Sequence, residues 1–302
     1  MGEAARTFGQ DLMRGEHVVG SKKQFREGTF QGGAPDTIRD AGFYSRKRKA
    51  EKLLGRDLSV DEFREIDATG NEGTSSGTSI FDPVLCELAY RWFCPKGGII
   101  LDPFSGGSVR GIVASHLGFS YTGVELRAEQ VEANWAQKHV AVEPFPDWRS
   151  GDSRNIDKVC WDVQADYIFS CPPYADLEVY SDDPADLSTM DYPDFLEAYR
   201  EIIDKSCALL KDNRFACFVV GEVRDKKGNY RNFVGDTVEA FKAAGLHYYN
   251  EAILVTAVGS LPIRVGKQFQ AGRKLGKTHQ NILVFVKGDG KKAAQAVAGG
   301  GV

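Results

Sequence analysis

Leu101-Asp102-Pro103-Phe104-Ser105-Gly106-Gly107-Ser108 decides how this chain is read. An apolar run over 98–102 ends in an acid, a glycine turn follows, and the apolar spacing beyond it predicts a helix over 109–117. Glycine lets the backbone turn sharply and lets a ligand approach the main chain closely. A strand, a glycine turn and a helix in that order form the first half of a βαβ unit.

The same pattern repeats outward. Helical spacing covers 83–93, 128–140, 192–210 and 233–244. Strand-like runs cover 121–125, 165–170, 214–223, 246–258 and 281–287. Strands alternating with helices mean a mainly parallel sheet, and right-handed crossovers make it doubly wound. The last two strands have no clear helix between them, which predicts an antiparallel pair. The expected class is therefore α/β: a Rossmann-like, doubly wound, mainly parallel sheet with an antiparallel last strand. Such sheets bind ligands at the carboxyl ends of their strands.

Two acids mark those ends. Glu125 closes the second predicted strand, where a carboxylate can accept hydrogen bonds from ribose hydroxyls. Asp152, in Ser150-Gly151-Asp152-Ser153, stands where it can meet an adenine amino group. The turn is not G-x-G-x-x-G, which counts against NAD and FAD. These residues read as a site for an adenosine-containing cofactor.

The second informative segment is Asp166-Tyr167-Ile168-Phe169-Ser170-Cys171-Pro172-Pro173-Tyr174. Two prolines after an apolar strand fix an extended backbone and end the ladder. That aims the Pro172 carbonyl outward and presents Tyr174 as a flat ring at the strand end. Together they suit an amino group held by hydrogen bonds and a planar base held by stacking.

With both segments in view, residues 80–288 resemble the DNA amino-methyltransferases that modify adenine N6 or cytosine N4, phage- and prophage-type DNA methylases in particular. That family carries a DPF-x-G-x-G cofactor turn and a D/N/S-P-P-Y/F strand end. The matching residues are Asp102 to Ser108 and Cys171 to Tyr174. Phe81-Asp82-Pro83-Val84-Leu85 resembles the stretch placed against the methionine end of the cofactor, and 279–285 resembles the last strand. The resemblance implies the fold of S-adenosylmethionine-dependent methyltransferases. It implies S-adenosylmethionine as cofactor, held by Phe81, Asp82, Asp102, Phe104, Ser105, Gly106, Gly107, Glu125 and Asp152. It implies DNA as partner, a flipped base, direct methyl transfer without a metal, and a target site at Cys171, Pro172, Pro173 and Tyr174.

Cys171 departs from the family pattern, because sulfur is a weak acceptor where Asp, Asn or Ser supplies oxygen. Ser170 does not replace it, since neighbouring strand residues point to opposite faces. Ser-Pro-Pro-Tyr goes with cytosine N4 and Asp-Pro-Pro-Tyr with adenine N6 in the family. Cysteine is nearer serine in size, which leans toward cytosine. Methylation of RNA or of a protein amide, and a non-catalytic cofactor- and DNA-binding subunit, are the alternative readings.

Charge sets where a polyanion can sit. The 302-residue chain carries a formal net charge of −4, which excludes coating of nucleic acid by bulk charge. Local basic segments must do it instead. Residues 252–288 hold no acid but contain Arg264, Lys267, Arg273, Lys274, Lys277 and Lys287. A basic loop over 262–279 is expected to contact DNA through Arg264, Lys267, Arg273, Lys274 and Lys277. Residues 175–194 are the opposite, with seven acids and no basic residue.

The outer parts differ in composition. Residues 1–78 read as a basic, partly flexible extension with a helical candidate over 44–55 and a Gly/Ser/Thr linker over 68–79. The domain proper is expected over 79–290 and a flexible tail over 291–302. Six cysteines without a C-x-x-C pair fit a reducing cytoplasm and no zinc site. No apolar run reaches the ~18 residues of a membrane span.

Overall fold

The structure is a computed structural model that describes residues 81–174, 181, 183–255 and 261–299. The chain divides into two units, Met1–Phe81 and Asp82–Val302, and the fold below is that of the second. The basic candidate over 44–55 and the linker over 68–79 lie outside the described residues.

Helix α1 (Pro83–Phe93) starts where Asp82 caps it: the carboxylate accepts from the Val84 amide at 2.9 Å, with Pro83 in the first turn. There follow β1 (Ile99–Asp102), α2 (Val109–His116), β2 (Ser120–Glu125), α3 (Ala128–Ala136), β3 (Asp147–Ser150), α4 (Ile156–Val159) and β4 (Ala165–Ser170). The second half runs α5 (Tyr192–Leu209), β5 (Leu210–Val220), α6 (Phe233–Ala243), β6 (Leu246–Val255), α7 (Leu261–Gly272), β7 (His279–Lys287) and α8 (Gly290–Ala298). The seven strands lie in the order β3-β2-β1-β4-β5-β7-β6. All pairings from β3 to β5 are parallel, whereas β7 runs antiparallel to both β5 and β6. This is the doubly wound sheet with one reversed strand that the sequence predicts.

Alternation along the strands builds two cores. On one face Leu101, Ile168, Ala216, Phe218 and Phe285 join Phe195, Tyr199 and Ile202 of α5 and Phe241 of α6. Phe241 stacks on Phe285 with centroids 4.0 Å apart and meets Phe218 edge-on at 4.9 Å. Such pairs add about 0.5–1.5 kcal/mol each beyond the area they bury. On the other face Tyr167 and Phe169 meet Tyr90 of α1, and Phe93 meets Phe215. Strand β4, buried along its whole length between these layers, is thereby fixed, and with it the position of the segment that follows.

The short helix α4 is not among the expected helices, the helix expected over 128–140 ends at Ala136, and four further features differ from the sequence reading. Strand β3 is not among the expected strands: it is four residues long, an edge strand, and only Trp148 in it is buried. Strand β5 begins at Leu210, ahead of the expected 214, because its polar start pairs with β4 through a register shift. The expected basic loop over 262–279 is helix α7 as far as Gly272, so only 273–278 is loop. Leu261, Val265 and Phe269 recur at four-residue intervals, a helical spacing that Gly266 and Gly272 disguise. Residues 291–298 of the expected tail are instead in helix α8, capped by Asp289 through the amides of Lys291 and Lys292 and anchored by the buried Ala293 against β5 and α1. Its alanines are strong helix formers that average hydropathy conceals.

Candidate functional site

The carboxyl ends of β1, β2 and β4 meet around the glycine turn. Gly106 takes φ +51°, and a Cβ there would meet nothing within 4 Å; the same open space lies beside Gly107. The turn is anchored from beneath. The Ser105 amide donates to the Val124 carbonyl at 3.0 Å, and Asn134 of α3 donates its side-chain amide to the Gly106 carbonyl at 2.7 Å. A Cβ at Gly123 would lie 2.7 Å from Ser105 Oγ, so β2 needs glycine there for the turn to sit this close.

Glu125 stands at the end of β2 with its carboxylate beside the turn. It accepts from the Gly106 amide at 2.9 Å and from the Arg127 amide at 3.1 Å. Burial raises its pKa, while those amides and the Arg127 guanidinium, 3.5 Å away, oppose the rise. The group is half-buried at the rim of the open space.

Asp102 is placed differently. It is fully buried, and both oxygens are engaged inside the protein. Oδ2 accepts from Arg110 Nε at 2.5 Å and from the Tyr121 hydroxyl at 2.7 Å; Oδ1 accepts from Ser170 Oγ at 2.5 Å and from the Phe104 amide at 3.1 Å. Arg110 continues the network by donating to the carbonyls of Phe104 and Ser105. The acid that ends β1 therefore shapes the turn from below. Phe104 packs at the edge of the core against Tyr199 and Phe218.

Asp152 caps a short 3-10 turn through the Arg154 amide at 2.8 Å and pairs with the Arg154 side chain at 2.8 Å. It is partly exposed, just beyond the end of β3. Beside it Ser153 Oγ donates to the Pro103 carbonyl at 2.6 Å, joining the third strand end to the turn. Asp82 caps α1, and Phe81 belongs to the N-terminal unit.

At the end of β4, Cys171 is half-buried, Pro172 is buried, and Pro173 and Tyr174 are half-buried. Cys171 Sγ lies 3.7 Å from the Tyr174 hydroxyl. That hydroxyl accepts from Gln280 Nε2 at 2.5 Å, and the ring meets Phe233 edge-on at 6.1 Å. Burial drives the phenol pKa far up, so it stays neutral. Ser170 points away, donating to Asp102 and accepting from the Phe104 amide at 3.2 Å. Its oxygen ties the two motifs together across the neighbouring strands β1 and β4.

Sequence reasoning missed Arg110, Gln280, Asn134, Gly123 and Ser153 as parts of this frame. Arg110 carried a signal: a charge on the apolar stripe of a helix must find a partner when buried. Of the basic residues expected to touch a polymer, Arg264 and Lys267 fall in α7, and Arg273 and Lys274 follow its end. Lys277 is half-buried; burial pushes its pKa down, with Glu222 opposing. Among the described residues no cluster of potential ligands could hold a metal ion, and no helix is long and apolar enough to cross a membrane. The six cysteines are free thiols, all buried except Cys171.

No protein-family model matches the chain, and no curated protein matches it. Solved structures do. TrmN from Thermus thermophilus is 13% identical, with a TM-score of 0.48 over 70% of this chain and 51% of that one, so the chain spans about half its length. A methyltransferase from Pyrococcus furiosus is 15% identical, with a TM-score of 0.46 over 84% of this chain and 100% of that one. A second Thermus thermophilus protein, described as a DNA modification methylase, is 18% identical, with a TM-score of 0.34 over 46% of this chain and 52% of that one.

Proposed function

We infer that this chain is an S-adenosylmethionine-dependent methyltransferase that modifies an exocyclic amino nitrogen of a base in DNA. The observation that carries the reading is the junction of two strand ends. The open glycine turn after β1, with Glu125 beside it, and the segment Cys171-Pro172-Pro173-Tyr174 after β4 are bonded together through Ser170, Asp102 and the Phe104 amide. An adenosine-type cofactor and a planar base can thus be held at adjacent ends of one sheet.

The residues present fit the cofactor. Open space beside Gly106 and Gly107 lets a ligand lie against bare backbone, and a half-buried acid stands at its rim. Glu125 would accept from the ribose hydroxyls, Asp152 from the adenine amino group, and Asp82 and Phe104 would line the remainder; Ser105, expected in the site, is fully buried under the turn. Asp102 holds the turn in shape from beneath. When bound, S-adenosylmethionine supplies a methyl group on a positively charged sulfur, which leaves with the carbon–sulfur bonding pair as the base nitrogen takes the methyl and releases a proton.

The chain's own part is orientation. The Pro172 carbonyl and the Cys171 sulfur would accept from the amino protons and favour a pyramidal nitrogen, drawing its lone pair out of conjugation with the ring. Tyr174, braced by Phe233 and Gln280, would stack on the flipped base. Positioning and electrostatics of this kind carry most of the barrier reduction in such a transfer. Cysteine at position 171, close to serine in size, leans the choice toward cytosine N4 over adenine N6.

Glu125→Ala is expected to weaken S-adenosylmethionine binding about 10- to 100-fold, the loss of charge-assisted hydrogen bonds worth about 1.5–3 kcal/mol. Titration calorimetry reads this directly, and unchanged affinity would remove Glu125 from the site. The reading as a whole is tested by release of S-adenosylhomocysteine on adding unmodified DNA, RNA or protein. Release with DNA alone supports it; release only with RNA or protein moves the target to those polymers.

A further inference from the structure

Two segments beyond the ends of β5 and β7 enclose a basic cleft outside the site just described. The segment after β5 folds back in a tight turn: the Asp225 amide donates to the Asn229 carbonyl at 2.9 Å, and Arg224 and Tyr230 form an isolated antiparallel bridge. The segment before β7 leaves α7 through Arg273, whose φ is +52°. Between them lies a cavity of about 710 Å³ whose walls include Arg224, Lys227, Tyr230, Arg273, Lys274 and Leu275.

The charge of this cleft is one-sided. Its four cationic side chains come from both walls. The carboxylate of the turn, Asp225, is engaged by the Asn229 amide at 2.8 Å, and backbone amides of 227–229 hold its pKa below the usual range. The cations are also shaped. The Arg224 guanidinium lies 3.8 Å over the Tyr230 ring and donates to the Gly228 carbonyl at 2.8 Å. Arg273 lies 5.1 Å from the Phe269 ring centroid. Lys274 crosses Gly228 so closely that a Cβ there would be 2.0 Å from Nζ, so the walls meet at that point. Tyr230 is 49% exposed and Leu275 70%, leaving ring and alkyl surface among the charges.

The cleft adjoins the Tyr174 end of the sheet. Val220 pairs with Asn281 across β5 and β7, and a Cβ at Gly221 would lie 4.0 Å from the Tyr174 hydroxyl. The wall that follows β5 thus leaves the sheet beside a residue proposed to hold the base.

We propose that this cleft is the seat for the phosphodiester backbone of the DNA strand next to the target base, with Arg224, Lys227, Arg273 and Lys274 contacting phosphates. Arg224 and Lys227 are the residues that no reading of the basic 252–288 segment includes. The proposal rests on the DNA-methyltransferase reading above. Its sign is salt dependence, since each phosphate contact on duplex DNA adds about 0.9 to the slope of log K against log salt.

The test measures binding of a short fluorescein-labelled duplex by anisotropy over a salt series, with the full chain and with Lys227→Glu/Lys274→Glu. Lys227 is exposed and Lys274 partly so, and a thermal melt checks that the fold is kept. Arg224→Lys is the second variant, retaining charge while losing the guanidinium fork. The double variant should bind at least about 10-fold more weakly and lose about 1 to 2 from the salt slope, with S-adenosylmethionine affinity unchanged. A folded double variant with the wild-type slope would overturn the cleft alone. A wild-type chain that binds no DNA at low salt, or prefers an RNA of the same sequence, would overturn both the cleft and the DNA reading.

Discussion

Arg110→Ala is expected to destabilise the protein by about 3–5 kcal/mol, the cost of leaving a buried charge without its partner. The Arg110 side chain is 7% exposed and Asp102 is fully buried, with Nε and Oδ2 2.5 Å apart. Burial disfavours a charged guanidinium, but Asp102 outweighs it and keeps Arg110 protonated. Removing the guanidinium strands the carboxylate and also frees the Phe104 and Ser105 carbonyls. Against a typical total stability of about 5–15 kcal/mol, that removes a substantial fraction of what holds the fold. Urea denaturation followed by circular dichroism gives the value. Arg110→Lys should fall between, since an ammonium keeps the charge but cannot reach all three oxygens as a planar fork does. A loss under about 1 kcal/mol for Arg110→Ala would mean that the network does not hold the turn.

Tyr174→Ala is expected to lower kcat/KM on DNA about 10- to 100-fold while the S-adenosylmethionine Kd stays near wild type. Base–aromatic stacking is worth about 1–3 kcal/mol, and the alanine also removes the ring braced against Phe233. Tyr174→Phe separates the two roles. It keeps the ring and loses only the hydroxyl that accepts from Gln280, so its expected loss is several-fold, near the ~1 kcal/mol of one hydrogen bond. Steady-state kinetics on both variants decides between them. Full activity in Tyr174→Ala would exclude stacking, and equal losses in both would assign the effect to the hydroxyl.

Much of the scaffold could be read in advance because the strands that matter are buried on both faces. Strand β4 matches its expected bounds residue for residue, and α1 does so because Asp82 and Pro83 announce its start. Elements with weaker burial signals escaped. Strand β3 hides its single buried residue, Trp148, between Asp147 and Arg149. Helices α7 and α8 look like loop and tail by composition, since glycines interrupt one and small or charged residues fill the other. At the site, the motifs identified which segments converge but not what each side chain touches. Asp102 reads as a ligand-facing acid by position, yet it is turned inward by Arg110, a residue eight places along whose reach only the folded turn reveals. Gln280 and Tyr174 are 106 positions apart, a contact that follows from β7 inserting beside β5. Insertion of a late strand is a property of sheet order, which local patterning does not encode.

The most direct test incubates the protein with unmodified DNA and S-adenosylmethionine, digests the DNA to nucleosides, separates them by liquid chromatography against authentic N- and C-methylated standards and identifies them by mass spectrometry. A nucleoside heavier by one methyl group on an exocyclic nitrogen is the predicted result, with N4-methyldeoxycytidine the favoured form over N6-methyldeoxyadenosine. Methylation at ring carbon, or no modified nucleoside from a protein that binds the cofactor, would contradict the account.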